Sequence, residues 1–134
     1  MPKGTGVFLT PSGSDAEYLP LLIAKLLNPD KHITNIVTCN EEIGSGSLGA
    51  AGGKFFSPLE PISGYHGHIE GGPKMDDPVH ELADNVDTVA INAREPNGNV
   101  IDANPKIEEC LKACQESLSV PIVHSVHGSK TGIC

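Results

Sequence analysis

The chain has no tryptophan, and aromatic residues make up only 4% of it. A core built without large rings has to come from Val, Ile, Leu and Ala. Cations are scarce as well: nine Lys and Arg stand against 17 Asp and Glu, a formal net charge of -8. With no basic run and no aromatic-studded stripe, nucleic-acid binding is excluded as a reading, because it requires clustered cations facing phosphates. No apolar run approaches the ~20 residues that span a bilayer, so no membrane partner is expected. The opening Met1-Pro2-Lys3-Gly4 carries no apolar signal region. The four cysteines, Cys39, Cys110, Cys114 and Cys134, form no C-x-x-C pair, so reduced thiols in a cytoplasmic setting are the default expectation. No G-x-S-x-G nucleophile elbow is present. A Walker A loop is missing too, since Leu48 stands where its first glycine belongs ahead of Gly53-Lys54.

What is present suits one domain, residues 1–134, with a mass of 14.0 kDa. Four short apolar runs read as strands: Val7-Phe8-Leu9, Ile33 to Thr38, Thr88 to Ala93 and Pro121 to Val126. They are continuous and rich in Val and Ile, the pattern of strands covered on both faces. Between them lie helical segments. After Ser14, apolar residues at Ala16, Leu19, Leu22, Ile23, Leu26 and Leu27 make one face, with Pro20 expected to kink or delay the helix. Asp77-Pro78 and Asn104-Pro105 are start signals for two more, an N-cap type followed by proline at the first helical position. Ile107, Cys110, Leu111, Cys114 and Leu118 form the stripe of the last. The alternation predicts an α/β fold, a three-layer, mostly parallel sheet with helices on both faces. The 15 glycines and 11 prolines, about one residue in five, gather in clusters, and residues 57–76 read as a long Gly/Pro-rich loop.

Two segments carry candidate chemistry. Ser12-Gly13-Ser14-Asp15 runs from the first apolar segment into a helix. Free N–H groups and hydroxyls at a helix start make a place for a phosphate, while Ser and Asp are also the ordinary capping residues. Gly44-Ser45-Gly46-Ser47-Leu48-Gly49 is a literal G-x-G-x-x-G. It is separated from its strand by Cys39 to Ile43, and no strand ending in an acidic residue lies ~20 residues on, so close packing of small residues stands beside dinucleotide binding. For metals, His66 and His68 lie in the loop without a cysteine at ligand spacing. His124 and His127 fall three apart on a strand, where side chains alternate faces, so no metal site is assigned. Cys110 and Cys114, four apart on a helix, read as core.

In order and spacing, these pieces resemble the large cofactor domain of fold-type-I pyridoxal-phosphate enzymes, the superfamily of aminotransferases, amino-acid decarboxylases and cysteine desulfurases. The resemblance runs from about Gly4 to Gly132. Thr10 to Ala16 resembles the phosphate cup, most closely over Ser12 to Ala16; Asn40 to Ser45 resembles the segment that stacks on the pyridine ring, here with Gly44 and no side chain to stack. The strand Thr88 to Ala93 with Arg94 to Asp102 resembles the Asn-Pro-x-Gly turn region, with Glu95 in place of the asparagine. Pro121 to Gly128 resembles the strand that carries the pyridine-pairing aspartate, with His127 at that position. The resemblance implies pyridoxal phosphate bound by Ser12, Gly13, Ser14, Asp15 and His127, an amino-acid substrate, and a possible homodimer. The family's Schiff-base lysine lies on a later strand, and Lys130 is an outside candidate for it. The expectation is therefore a fragment or degenerate relative of such an enzyme, whose catalysis needs further segments. Two alternatives stay open: a small nucleotide- or phosphate-binding α/β module, and a non-catalytic interaction domain.

Overall fold

The computed structural model describes residues 4–58, 74–126 and 130–132. Three parallel strands, β1 (Ile33–Val37), β2 (Val86–Ala90) and β3 (Val120–His124), form an open sheet in the order β2-β1-β3. Around it lie α1 (Gly13–Ala16), α2 (Tyr18–Leu27), a 3-10 turn (Asn40–Glu42), α3 (Ser47–Ala51) and α4 (Asn104–Ser117). The architecture is α/β, with helices on both sheet faces. Alternation along β1 assigns the faces. Ile33 packs with Leu21 and Ala24 of α2 on one side, and Ile36 packs with Cys110 of α4 and with Ile91 on the other. Cys110 and Cys114 are buried free thiols in that second layer, the packing role their spacing suggested.

Two expected elements are absent. Val7-Phe8-Leu9 is not a strand; its side chains are exposed, Leu9 at 93%. Three apolar residues ahead of Thr10-Pro11 are too few to compete for a place in a parallel sheet, whose pairing is non-local. The helix expected after Asp77-Pro78 is a series of turns. Val79 accepts from Leu82 and Ala83, but Glu81 and Asn85 take left-handed φ of 62° and 52°, which ends any helix. Pairing overrides the start signal here: Pro78 bridges Lys54, and Val86 is already committed to Ile33 of β1. The remaining strands shift by one to three residues at their ends. α4 begins where Asn104-Pro105 announces it, with proline in the first turn, and ends at Leu118 with φ 58°. The predicted 57–76 loop lies largely outside the described residues.

Pro20 has the expected effect. It has no N–H for the carbonyl of Ala16 four residues back, and its ring crowds that carbonyl. The helical segment is broken there into α1 and α2, with Glu17 at the joint. Pro20 thus sits in the first turn of α2, where a missing N–H costs little.

Candidate functional site

Strand order reverses about β1: the chain leaves it for β2 on one side and returns across the sheet to β3 on the other. In open parallel sheets, ligand crevices form outside the carboxyl ends of strands at such a reversal. A cleft of about 310 Å³ opens there. Its floor is Val37 at the end of β1. One wall is His124, Ser125 and Val126 at the end of β3. The opposite walls are Gly13 and Glu17 from the α1–α2 joint and Glu42, Ile43, Gly44 and Ser47 from the segment entering α3. The two motifs singled out in the sequence therefore meet in space, Gly13 of the first beside Gly44 of the second.

At the cleft wall, three polar side chains from three elements are joined. His124 Nδ1 lies 2.8 Å from Glu17 Oε2, and His124 Nε2 lies 3.0 Å from Asn35 Oδ1. Asn35 is fully buried on central strand β1, and the His124 and Glu17 side chains are 12% and 31% exposed. The break at Pro20 places Glu17 on the joint between α1 and α2, the second of which packs over the sheet. His124 is fixed from behind, because its carbonyl accepts from both the N–H and the hydroxyl of Thr38 at 3.1 and 2.9 Å. The amide nitrogen of Asn35 has no hydrogen-bond partner among the described residues, an arrangement natural interiors seldom keep.

The second carboxylate, Glu42, is committed elsewhere. Its oxygens accept from the Thr131 N–H at 2.8 Å and the Thr131 hydroxyl at 2.7 Å. The hydroxyl bond is the largest influence on its pKa, which lies below the ordinary 4.5, with the Thr131 N–H and the Arg94 charge adding to it and partial burial and Glu41 opposing. Arg94 also donates to the Thr131 hydroxyl at 3.3 Å. Glu41 caps the turn after β2 by accepting from the N–H groups of Ala93 and Arg94 at 2.9 and 3.0 Å. Burial pushes its pKa up, but those N–H groups and the Arg94 charge win and hold it below the ordinary value. Thr131 is thereby held beside the segments that follow β1 and β2.

The other residues expected at a site fall as follows. Ser12 is the N-cap of α1: its hydroxyl oxygen accepts from the Asp15 N–H at 3.2 Å and its hydroxyl donates to the Asp15 carboxylate at 2.6 Å. That is the capping role. Gly13 lines the cleft, whereas Ser12, Ser14 and Asp15 do not. Lys130 is exposed, and His127 lies outside the described residues. Within G-x-G-x-x-G, Gly46 is a packing residue, since a Cβ there would lie 2.6 Å from the Cβ of Phe56. Glu17 and Asn35 carried no motif and were missed. The available signal was Pro20, which marks a joint three residues after Glu17, together with a polar residue inside the apolar run Ile33 to Thr38. Among the described residues no group of three or more His, Cys, Asp or Glu side chains is placed to hold a metal ion, and no helix is long and apolar enough to cross a membrane. No family model, no curated protein and no solved structure matches the chain.

Proposed function

We propose that the chain is a small-molecule-binding α/β domain whose site is the cleft at the carboxyl ends of β1 and β3. The observation that carries this reading is the Glu17–His124–Asn35 chain, a polar network at the cleft wall anchored on the central strand. Polar groups gathered in this way cost folding energy unless fully bonded, and they are commonly kept where a ligand is oriented. Among the described residues, the walls carry two carboxylates and an imidazole, and no Lys or Arg. Such a lining suits a ligand that is neutral or cationic where it meets Glu17. Addition of small probes (ethanolamine, glycerol, inorganic phosphate) to the isotope-labelled protein tests it. The amide resonances of Gly13, Gly44, Ser47 and Ser125 are expected to move together with at least one probe. If none moves them at millimolar concentration, the reading fails.

One observation favours pyridoxal phosphate as a second reading: Gly13 and Gly44, from the two segments that resemble cofactor-binding turns, line the same cleft at the strand ends. The charge of the cleft and the bond between Ser12 and Asp15 weigh against a phosphate held there, so no chemical step is derived through that group. A visible absorbance band on adding pyridoxal phosphate, lost in Gly13→Val, supports this second reading. A mass increment at Lys130 after borohydride reduction would extend it to catalysis by this chain. Absence of the band removes it.

A further inference from the structure

We propose that the outer face of α2 is an interface with a second copy of the chain. Two α2 helices pack about a two-fold axis, and Val7-Phe8-Leu9 of each protomer completes the contact. The inference does not depend on the cleft being a ligand site.

α2 turns its strongest apolar pattern away from the core. Leu19, Leu22, Ile23, Leu26 and Leu27 follow the three-and-four spacing of a buried stripe. The residues that meet the sheet lie on the other side of the helix, Leu21 and Ala24, buried with Ile33. On the outer side, Leu22 and Ile23 are 43% and 44% exposed, and Leu26 and Leu27 are 73% and 76% exposed. Leu22 with Leu26, and Ile23 with Leu27, stand four apart and form two adjacent ridges. A helix that is apolar all round belongs inside a larger body. Here the sheet covers one side of it.

The chemistry of the stripe selects the occupant. The one charged side chain of α2 is Lys25, and its ammonium donates to the Asp84 carbonyl at 2.5 Å, so the stripe itself carries no charge. The whole chain has a formal net charge of -8. Two copies repel wherever acidic surfaces face each other, and a charge-free apolar stripe is where they can meet. A lipid surface fits less well. Helices that lie on lipid carry Lys and Arg along a polar face, which α2 does not have, and anionic leaflets repel an acidic chain. A second copy brings a stripe of the same length and the same neutrality. Two-fold pairing sets the ridges of each helix into the grooves of the other and uses up the face on both protomers, so the contact closes at a dimer.

The area needed points to a second element. A standard interface removes about 800 Å² from each partner. The exposed parts of four side chains fall short of that. Val7, Phe8 and Leu9 are each more than half exposed and belong to no strand. Only Thr10 to Ser12 separate them from α1, which runs through Glu17 into α2. Added to the stripe, they bring the apolar surface of one protomer to the scale of a stable contact.

Sedimentation velocity of the full chain from about 1 μM to about 1 mM tests this. The expected result is a monomer–dimer equilibrium, with a melting temperature that rises with protein concentration. Leu26→Arg is expected to weaken dimerisation at least tenfold, and Phe8→Asp about three- to tenfold. Both positions are exposed, and each variant is checked for folding by its far-ultraviolet spectrum. Leu111→Arg, on α4 across the sheet, is the control and is expected to leave dimerisation unchanged. A monomer at every concentration overturns the proposal. So does association that Leu26→Arg leaves intact, or that Leu111→Arg weakens equally. Species that keep growing beyond the dimer contradict the two-fold contact. Unchanged dimerisation in Phe8→Asp overturns the part assigned to Val7-Phe8-Leu9. A monomer that floats with phosphatidylcholine vesicles makes lipid the occupant instead.

Discussion

At the scale of single residues, small differences in surroundings separate chemically identical positions. Gly46 and Gly49 belong to one G-x-G-x-x-G string, yet a methyl at Gly46 would collide with Phe56 Cβ at 2.6 Å, whereas at Gly49 its nearest neighbour is an Asp76 oxygen at 3.5 Å. Phe56 Cβ is tied to the backbone and cannot swing away. Gly46→Ala is therefore expected to cost about 1–3 kcal/mol in urea unfolding, while Gly49→Ala, inside α3, is expected to be neutral or to stabilise by up to about 1 kcal/mol through helix propensity. Equal losses at both positions would contradict the packing assignment. Glu42 gives a prediction in pH. Its pKa is lower in the folded chain than the ordinary 4.5. The contribution of the Thr131 bonds is thus complete above that ordinary value and is lost as pH falls through the lowered one. In an acid titration followed by amide exchange, Thr131 is expected to lose protection before the β1 amides do. Retention of its protection until the sheet itself unfolds would refute this.

At the scale of elements, what could be read from the sequence depended on how local the deciding force was. α4 was legible because Asn104-Pro105 sets its start and the Ile107, Cys110, Cys114 spacing sets its buried face, both within one segment. β1 was legible because Ile33, Ile36 and Val37 are β-branched apolar residues within five positions, and they are buried on both faces of the sheet. The region after Asp77-Pro78 was misread because the same local signal was overruled from a distance, by the pairing of Val86 with Ile33 and of Pro78 with Lys54. Val7-Phe8-Leu9 failed for the converse reason: it has strand composition but nothing to pair with among the described residues. The site shows the same division. Gly13 and Gly44 were legible as special because glycine is conspicuous. Glu17, Asn35 and His124 come from three elements 18 and 89 positions apart along the chain, and only the fold, through the helix break at Pro20 and the register Val37 opposite His124, brings them together.

At the scale of the whole molecule, β1 is the element on which both halves of the core depend. Ile33 holds the α2 layer and Ile36, three positions later and so on the opposite face, holds the α4 layer. Among the described residues neither layer has another fully buried strand to pack on, because β2 and β3 are edges without a fully buried residue. The outer side of α2 adds nothing to this core, since Leu26 and Leu27 are mostly exposed. The layers are therefore expected to unfold as one unit. Leu21→Ala in the first layer and Ile36→Ala in the second should each cost about 2–5 kcal/mol, a large part of the 5–15 kcal/mol available to a domain. In each variant the near-ultraviolet signal of Tyr18, which sits on α2 against Phe56 with ring centroids 6.0 Å apart, should fall at the same urea concentration as the far-ultraviolet signal, to which α4 contributes the longest helix. Coincidence of the two curves is what a shared central strand requires. If Ile36→Ala instead melts the helical signal while the Tyr18 environment persists, the α2 layer stands without β1's other face, and the cleft between α2 and β3 would survive the loss of half the core.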